Sequence, residues 1–305
     1  MTIALRTIQP YIPPFPYGAG VADGKAIFVN GASHAETSHI GRFAIVDPVA
    51  NTSVGYALSS IPSGHNANYC SNGVDYGGGV LVLFANAKLW AAHVFPDGNV
   101  DAYPSPSLYS NSPWGVRVGS KIWSIASNSS SYPVHTFDLS TMTWDSTPIS
   151  GSSGTRSDAA PFVHDGFVWA WSGSGTTWHK LDVATGARTT VTAPEPMYWG
   201  QAAGVGSDVY LPSATSGHLI KASGGTLTNV SAPVFVQGGP WTQSLVRDGQ
   251  GYLRSVRSDG ASIVGWHPDT GVSWTESTGI TGGSSCTRAV TIDGETVAAV
   301  WKPGT

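Results

Sequence analysis

The stretch FVHDGFVWAW, residues 162–171, decides the fold because it joins two short apolar runs through an Asp-Gly turn. Alternating apolar residues on both sides of such a turn are the strongest short-range sequence signal for a β-hairpin. The same phrase occurs six more times, as VADGKAIFV (21–29), VDYGGGVLVLF (74–84), VRVGSKIWSI (116–125), GVGSDVYL (204–211), LVRDGQGYLRSV (245–256) and TIDGETVAAV (291–300). The sequence therefore predicts seven hairpins.

The spacing of the hairpins indicates a repeat. Successive intervals are 54, 41, 47, 40, 43 and 45 residues between the turn glycines Gly24, Gly78, Gly119, Gly166, Gly206, Gly249 and Gly294. Periods of this length are typical of four-stranded propeller blades. Most hairpins precede a third strand, a turn and a fourth strand, and the turn is built on Asp47, Asp97, Asp138, Asp182 or Asp269. Asp suits these turns because its carboxylate accepts hydrogen bonds from the backbone that follows.

These repeats predict an all-β fold, a seven-bladed β-propeller with four-stranded antiparallel blades that forms a single domain over residues 1–305. The last hairpin has no third or fourth strand after it, whereas a spare strand at residues 3–8 precedes the first hairpin. We expect residues 1–10 to pair with the last blade, because this N-terminal strand would close the ring and cover an exposed sheet edge. The last blade then has three or four strands.

Composition supports a folded, turn-rich domain. Apolar residues make up 41% of the chain, far more than in disordered segments, and only 11% of the residues are charged. The net charge of −4, without a Lys/Arg cluster, argues against nucleic acid as a partner. No apolar run approaches the roughly 18 residues of a transmembrane segment, and the N-terminus does not resemble a signal peptide. We therefore expect neither nucleic-acid binding nor membrane insertion.

Two segments carry a family resemblance. The stretches FDLSTMTW (137–144) and WHPDTGVSW (266–274) resemble the third strand, turn and fourth strand of kelch-type blades. The low-charge composition, rich in Gly, Ser, Thr and Asn, is similar to that of propeller modules in bacteriophage tail and other virion proteins. The resemblance implies a location in a virion, with other tail proteins or a cell-surface glycan or receptor as partners.

Aromatic, amide and Arg side chains concentrate where the inner strands begin. These segments should surround one mouth of the central channel, where propellers commonly bind partners. Tyr, Trp and Arg are typical interface hot spots, and aromatic rings also stack on sugars, so sugar and protein ligands both remain open. The predicted ligand- or partner-binding residues are Tyr69, Trp114, Arg156, Tyr198, Trp199, Gln201, Trp241, Gln243 and Arg288.

Catalytic motifs are sparse. His34, Glu36 and His39 are a weak candidate for a metal site, because their loop spacing lacks the one-face geometry of a helical H-E-x-x-H motif. Most Asp residues are explained as turn formers. We therefore expect a non-enzymatic binding protein without metal or cofactor, or else a structural spacer without a ligand. The alternative is a polysaccharide lyase or glycoside hydrolase acting at the channel mouth, with His65 and Asp158 as acid–base candidates.

Overall fold

The computed structural model describes residues 16–30, 41–58, 61–67, 70–111, 113–126, 133–173, 175–197, 200–235, 243–257, 261–278 and 286–301. All the secondary-structure elements in these ranges are β-strands, so the predicted all-β class is confirmed. None of the described residues belongs to a helix long and apolar enough to cross a membrane.

The sheets follow one another along the chain as antiparallel blades. Blade 1 contains β1 (Pro16–Ala22), β2 (Lys25–Asn30), β3 (Arg42–Asp47) and β4 (Thr52–Ala57). Blade 2 contains β5 (Val74–Tyr76), β6 (Gly79–Val94) and β7 (Val100–Asn111). Blade 3 contains β8 (Pro113–Val118), β9 (Lys121–Ala126), β10 (His135–Asp138) and β11 (Thr143–Trp144).

The second half of the chain continues the pattern. Blade 4 contains β12 (Phe162–His164), β13 (Phe167–Trp171), β14 (Thr177–Asp182) and β15 (Arg188–Thr192). The short β16 (Gly200–Gln201) precedes blade 5, which contains β17 (Ala203–Val205), β18 (Asp208–Pro212), β19 (Leu219–Ser223) and β20 (Thr226–Val230). The short β21 (Gln243–Ser244) precedes blade 6, which contains β22 (Val246–Arg247), β23 (Leu253–Val256), β24 (Ser262–Trp266) and β25 (Ser273–Ser277). A final hairpin contains β26 (Cys286–Ile292) and β27 (Glu295–Trp301).

In the described part of the chain the protein is thus a β-propeller with six blades of three or four strands, and not the predicted seven. The seventh repeat contributes only the two-stranded sheet of β26 and β27 to the described part of the chain. This hairpin packs between the first and last blades, because β26 contacts β1 on one side and β22 and β23 on the other. Between blade 6 and this hairpin, the backbone N–H of Gly249 donates to the carbonyl oxygen of Gly294 at 3.2 Å. The predicted closing strand, residues 1–10, lies outside the described residues.

Turn chemistry accounts for the strand connections. Asp23–Gly24, Asp165–Gly166 and Asp293–Gly294 all have positive φ, as a two-residue hairpin turn with the twist of the strands requires. At the predicted Asp turns, Asp47 Oδ1 accepts the backbone N–H groups of Val49 and Ala50 at 3.0 and 2.8 Å. The same pattern recurs at Asp97, Asp138 and Asp182. In blade 6 the acceptor is different, because His267 Nδ1 accepts the backbone N–H of Asp269 at 3.3 Å.

Blade 2 departs from the four-strand expectation because β6 is 16 residues long and contains the second and third strands together. The two halves of β6 lie side by side. A Cβ added to Gly79 would lie 2.7 Å from the carbonyl oxygen of Val94, and the rings of Phe84 and Trp90 stack with centroids 4.5 Å apart. A glycine at position 79 therefore permits this close approach of the backbone.

The core consists of apolar layers between neighbouring blades. Trp169 and Trp178 of blade 4 are fully buried and pack with Leu211 of blade 5. Burial of each such aromatic side chain stabilises the folded state by roughly 2–3 kcal/mol. Side chains of the inner strands alternate between the two neighbours: in β1, Ala22 packs in the layer toward blade 2 and Val21 in the layer toward β26. The inner strands therefore turn one edge toward the central channel and their side chains toward adjacent blades.

Candidate functional site

A cavity of about 290 Å³ lies in the central channel. It is lined by the inner strands β1, β17, β22 and β26, by the short β16, and by residues at β5. Many of the lining residues are small, among them Gly20, Gly73, Ala203 and Gly204, so the backbone is close to the cavity surface. In β1 and β26 the lining residues belong to the second halves of the strands, near the hairpin turns.

Asp75 is the one carboxylate among the described residues that line this cavity. Its Oδ1 accepts the backbone N–H of Val21 at 2.8 Å. The side chain remains open to solvent in the cavity, yet the surrounding protein raises the pKa of Asp75 above its ordinary value. Burial is the larger effect on this pKa, and the hydrogen bond from Val21 partly offsets it. A carboxyl group with a raised pKa in a cleft is suited to gain and lose a proton during a reaction.

The other polar groups come from blades far apart in sequence. Arg247 and Thr291 line the cavity, and Thr291 Oγ1 donates to the backbone carbonyl of Arg247 at 2.8 Å. Arg117 lies next to the cavity strand β5: its Nη1 donates to the backbone carbonyl of Asp75 at 3.4 Å, and its guanidinium lies 5.7 Å from the ring centre of Tyr76. Asp75 and Arg247 thus line the cavity, and the Arg117 guanidinium lies beside the backbone of β5 and the Tyr76 ring.

Three of these residues occupy the same position in the repeat. Asp75, Arg117 and Thr291 each belong to the second residue pair from the hairpin turn, opposite Val80, Ile122 and Thr296 respectively. Each side chain bonds to the backbone of the preceding inner strand or hairpin. The equivalent positions in the other hairpins include Val21, Val163 and Gly204. An alignment of the hairpins on their turns would have identified these polar exceptions.

The sequence predicted a binding surface at the beginnings of the inner strands. Two of the residues predicted there, Trp114 and Arg288, are buried. Trp114 is 5% exposed and Arg288 is 0% exposed. The guanidinium of Arg288 lies 5.8 Å from the ring centre of Trp114, although the two residues belong to different parts of the ring, and its Nη1 donates to Ser244 Oγ at 3.4 Å. These side chains fill the channel beside the cavity and hold β26 to β8 and β21.

We expect Arg288→Ala to lower the free energy of unfolding by roughly 2–4 kcal/mol, because it removes the contact with Trp114 and leaves a cavity in the ring. Arg288→Met keeps most of the buried volume and introduces no charge, so it should cost less than about 1.5 kcal/mol. Urea titration followed by tryptophan fluorescence measures both. Equal losses for the two variants would contradict a packing role for Arg288.

Of the remaining predicted residues, two have described side chains and the others do not. Gln201 lines the channel cavity, and Arg156 lies elsewhere, in a bidentate ion pair with the buried carboxylate of Asp158. Several predicted residues lie outside the described residues: Tyr69, Tyr198, Trp199 and Trp241, the side chain of Gln243, and the metal candidates His34, Glu36 and His39. Where the structure describes the chain, no group of three side chains could hold a metal ion.

His65 and Asp158, which the sequence suggested as an acid–base pair, each contact other groups. His65 Nδ1 lies 3.1 Å from the carbonyl oxygen of Ser63, and its Nε2 lies 3.4 Å from that of Ser105. Asp158 is held by Arg156. Both side chains therefore have local structural roles, and among the described residues Asp75 is the carboxyl group that lines the channel cavity.

A larger groove of about 680 Å³ lies between blades 3 and 4. Its charged pair is Lys121 Nζ and Asp145 Oδ2, which lie 2.6 Å apart, and Thr136 also donates to Asp145. Burial alone would raise the pKa of Asp145, but the bonds from Lys121 and Thr136 hold this pKa below its ordinary value. A carboxylate kept ionised in a neutral pair is poorly suited to proton transfer, so the smaller channel cavity is the better candidate site.

Known proteins resemble this chain in fold. A catalytically inactive variant of virginiamycin B lyase from Staphylococcus aureus, with quinupristin, has a TM-score of 0.61 at 13% identity, with 94% of each chain covered. A streptogramin B lyase has a TM-score of 0.60 at 13% identity, with 96% of each chain covered. BamB from Moraxella catarrhalis has a TM-score of 0.50 at 15% identity, with 95% of this chain and 83% of that chain covered. These likenesses show a β-propeller fold.

No family model and no curated protein matches the sequence. The comparisons contradict the expectation that a propeller of this kind points away from catalysis, because two of the structural neighbours that share its fold are lyases. The residues that line the channel cavity come from different blades, so no compact sequence motif contains them. Asp75 and its partner Val21, for example, are 54 residues apart.

Proposed function

We propose that the protein is a lyase in which Asp75 is the acid–base group of an elimination reaction in the channel cavity. The observation that carries this proposal is the position of Asp75, whose carboxyl group faces the cavity and has a raised pKa. Arg247 supplies positive charge in the same cavity. Proton abstraction next to a carbonyl requires these two functions, a base and a group that stabilises the developing oxyanion.

The proposed reaction uses the protein's own groups. The Asp75 carboxylate removes a proton from the carbon next to the substrate's carbonyl, and the electron pair of that C–H bond forms a carbon–carbon double bond. The bond from the adjacent carbon to the leaving oxygen breaks, and the leaving oxygen takes a proton from the protonated Asp75 or from water. Arg247 stabilises the negative charge on the carbonyl oxygen as the proton leaves.

The lining of the cavity favours elimination over glycoside hydrolysis. Hydrolysis of a glycosidic bond generally needs two carboxyl groups about 5–10 Å apart. Among the described residues, Asp75 is the single carboxylate on the cavity wall. Elimination needs one base, and Asp75 provides it.

The proposal is tested by incubating the purified protein with two probes, quinupristin and an oligosaccharide of galacturonate. Chromatography detects cleavage of either probe, and near-ultraviolet absorbance detects a new double bond conjugated to a carbonyl. We expect a new double bond in the product of at least one probe. Turnover of neither probe, or cleavage without a new double bond, would contradict the proposed lyase.

A matched pair of glycine variants locates the reaction. A Cβ on Gly20 would lie 2.4 Å from Asp75 Oδ1, whereas a Cβ on Gly204, in the same cavity lining, would meet nothing closer than 4.0 Å. We expect Gly20→Ala to displace the Asp75 carboxyl and lower kcat/KM by about tenfold to a hundredfold, because a misplacement of about 1 Å costs that much. Gly204→Ala should stay within about twofold of the original activity. Similar losses in both variants would place the reaction away from Asp75.

The location in a virion stays a prediction, as do tail proteins or a cell-surface glycan as partners. Support comes from the composition and the kelch-like segments alone, and the structural neighbours do not point to a particle. Mass spectrometry of peptides from purified particles tests it. Absence of the protein from the particles would contradict this location while leaving the lyase proposal intact.

A further inference from the structure

We propose that residues 3–8 (IALRTI) pair with the outer edge of β27 and run in the same direction as β27. These residues lie outside the described part of the chain, and the pairing would give the expected closing strand a defined edge and a defined direction. It concerns closure of the ring and is independent of the proposed lyase function. The open edge of β27, the exposure of its side chains and the place where β1 begins support it.

The final hairpin ends in an open sheet edge. The six blades contain three or four strands each, whereas β26 and β27 form a two-stranded sheet in the described part of the chain. Because β26 lines the channel cavity and contacts β1 and β22, the open edge belongs to β27. Such an edge presents a row of backbone N–H and C=O groups that can pair with a further strand.

The side chains of β27 are less buried than those at the same place in the six blades. Where the structure describes them, the second strands of the blades are buried from their second residue onward: β2, the first half of β6, β9, β13, β18 and β23. In β27, by contrast, Thr296, Val297 and Ala298 are only half-buried. Thr296 Oγ1 is enclosed, yet it has no hydrogen-bond partner among the described residues. A third strand would cover these side chains and bring polar groups close to this hydroxyl.

The place where β1 begins favours one direction for the added strand. The second halves of β1 and β26 line the same cavity, so these two inner strands run in the same direction and β27 runs back. The end of β27 at Trp301 therefore lies on the side of the ring where β1 begins, at Pro16. A strand parallel to β27 would end on this side as well. Residues 9–15 would then have to cross two strand spacings and one spacing between sheets, about 14 Å in all.

An antiparallel strand would instead end beside the hairpin turn. Residues 9–15 would then also have to return along the whole strand, about 20 Å for six residues, which makes about 24 Å in all. At roughly 3.1 Å per residue, a connection that contains Pro10, Pro13 and Pro14 reaches about 25 Å only when it is fully extended. Its straight path would also cross the contact between β26 and β1. The parallel direction requires little more than half of this reach, and the chain also pairs β16 with β21 in parallel.

Disulfide trapping in the 305-residue chain tests the pairing. Cys70 and Cys286 are first replaced by Ala, so that Val297→Cys supplies the one thiol on the hairpin. This variant is combined in turn with Ile3→Cys, Ala4→Cys, Thr7→Cys and Ile8→Cys. A parallel strand places residue 3 or 4 opposite position 297, and an antiparallel strand places residue 7 or 8 there. We expect an intramolecular disulfide with position 3 or 4 only, because the two Cα atoms must lie within about 7 Å.

A disulfide with position 7 or 8, or with none of the four, would overturn the proposed pairing. A disulfide-linked dimer would also overturn it, because the strand would then belong to a second copy of the chain. Thermal melts check that each variant is folded. None of these measurements requires lyase activity, so the pairing and the proposed function can fail separately.

Hydrogen exchange provides a second measurement that needs no engineered thiol. Leu5→Pro and Arg6→Pro each remove one backbone donor, and in a paired strand one of these two donors faces β27. We expect at least one of the two variants to speed amide exchange in β27 by roughly tenfold or more. Thr2→Pro, just before the proposed strand, is the control and should leave this exchange unchanged. The same exchange rate in all three variants would contradict the pairing.

Discussion

Asp75→Asn is expected to lower lyase activity by roughly 10²- to 10⁴-fold, because the amide cannot accept the substrate proton. The same change is expected to raise the melting temperature at neutral pH. Asn keeps an oxygen that can accept the Val21 N–H and removes the cost of a carboxylate partly buried by the channel walls. Activity and stability should therefore change in opposite directions, as they do where a strained functional group is removed.

The pH dependence of this effect follows from the direction of the pKa shift. Because the pKa of Asp75 is higher in the folded protein than in the unfolded chain, the native state holds its proton more tightly. The stability that this proton contributes is present below the unfolded pKa and is lost as pH rises through the folded pKa. The stabilisation by Asp75→Asn should therefore be absent in acid and grow toward neutral pH, which thermal melts across this range measure.

Asp145→Asn is the matched control for this prediction. The pKa of Asp145 is lowered in the folded protein, so loss of its charge should destabilise the protein at neutral pH and leave activity unchanged. An Asp75→Asn variant that keeps its activity, or that melts below the wild-type protein at neutral pH, would contradict the role assigned to Asp75.

Gly173→Ala is expected to reduce the free energy of unfolding by roughly 3 kcal/mol or more. A Cβ on Gly173 would lie 1.4 Å from Asp158 Oδ2 and 2.3 Å from Asp158 Cγ. Asp158 is buried and paired with Arg156, so its whole side chain would have to move and the ion pair would be disrupted. Disruption of a buried charge pair typically costs about 3–5 kcal/mol, and the positive φ of Gly173 adds backbone strain.

Gly166→Ala separates the steric effect from the backbone effect. Gly166 has nearly the same φ, 75° against 78° for Gly173, and a Cβ there would meet nothing within 4 Å. We expect Gly166→Ala to cost about 1–2 kcal/mol, the strain of the left-handed conformation alone. Urea titrations of both variants measure the difference. Equal losses would show that the Asp158 contact does not limit position 173.

Local sequence features predicted most of the fold because hairpins and Asp turns depend on a few neighbouring residues. The seven hairpins and four of the five predicted Asp turns occur as expected, and His267 replaces the fifth. The number of blades could not be predicted in this way. It depends on how many strands join each hairpin, and the last repeat contributes only β26 and β27 to the described chain.

The candidate site was harder to predict because its geometry depends on the ring. The sequence predicted Trp114 and Arg288 as binding residues at a channel mouth, and it could not show that they contact each other and are buried. Asp75 was overlooked within a glycine-rich hairpin, where it resembles a turn residue. Its neighbours across the cavity come from hairpins some 50 to 200 residues away, and only curvature and blade packing bring them together.

The most direct test of the account is a crystal structure of the Asp75→Asn variant soaked with a galacturonate oligosaccharide. The predicted result is ligand density in the channel cavity, with a carbonyl oxygen of the ligand against Arg247 and the neighbouring carbon beside the side chain of residue 75. Ligand density in the groove beside Lys121 and Asp145, or at the beginnings of the inner strands, with only water in the channel cavity, would contradict it.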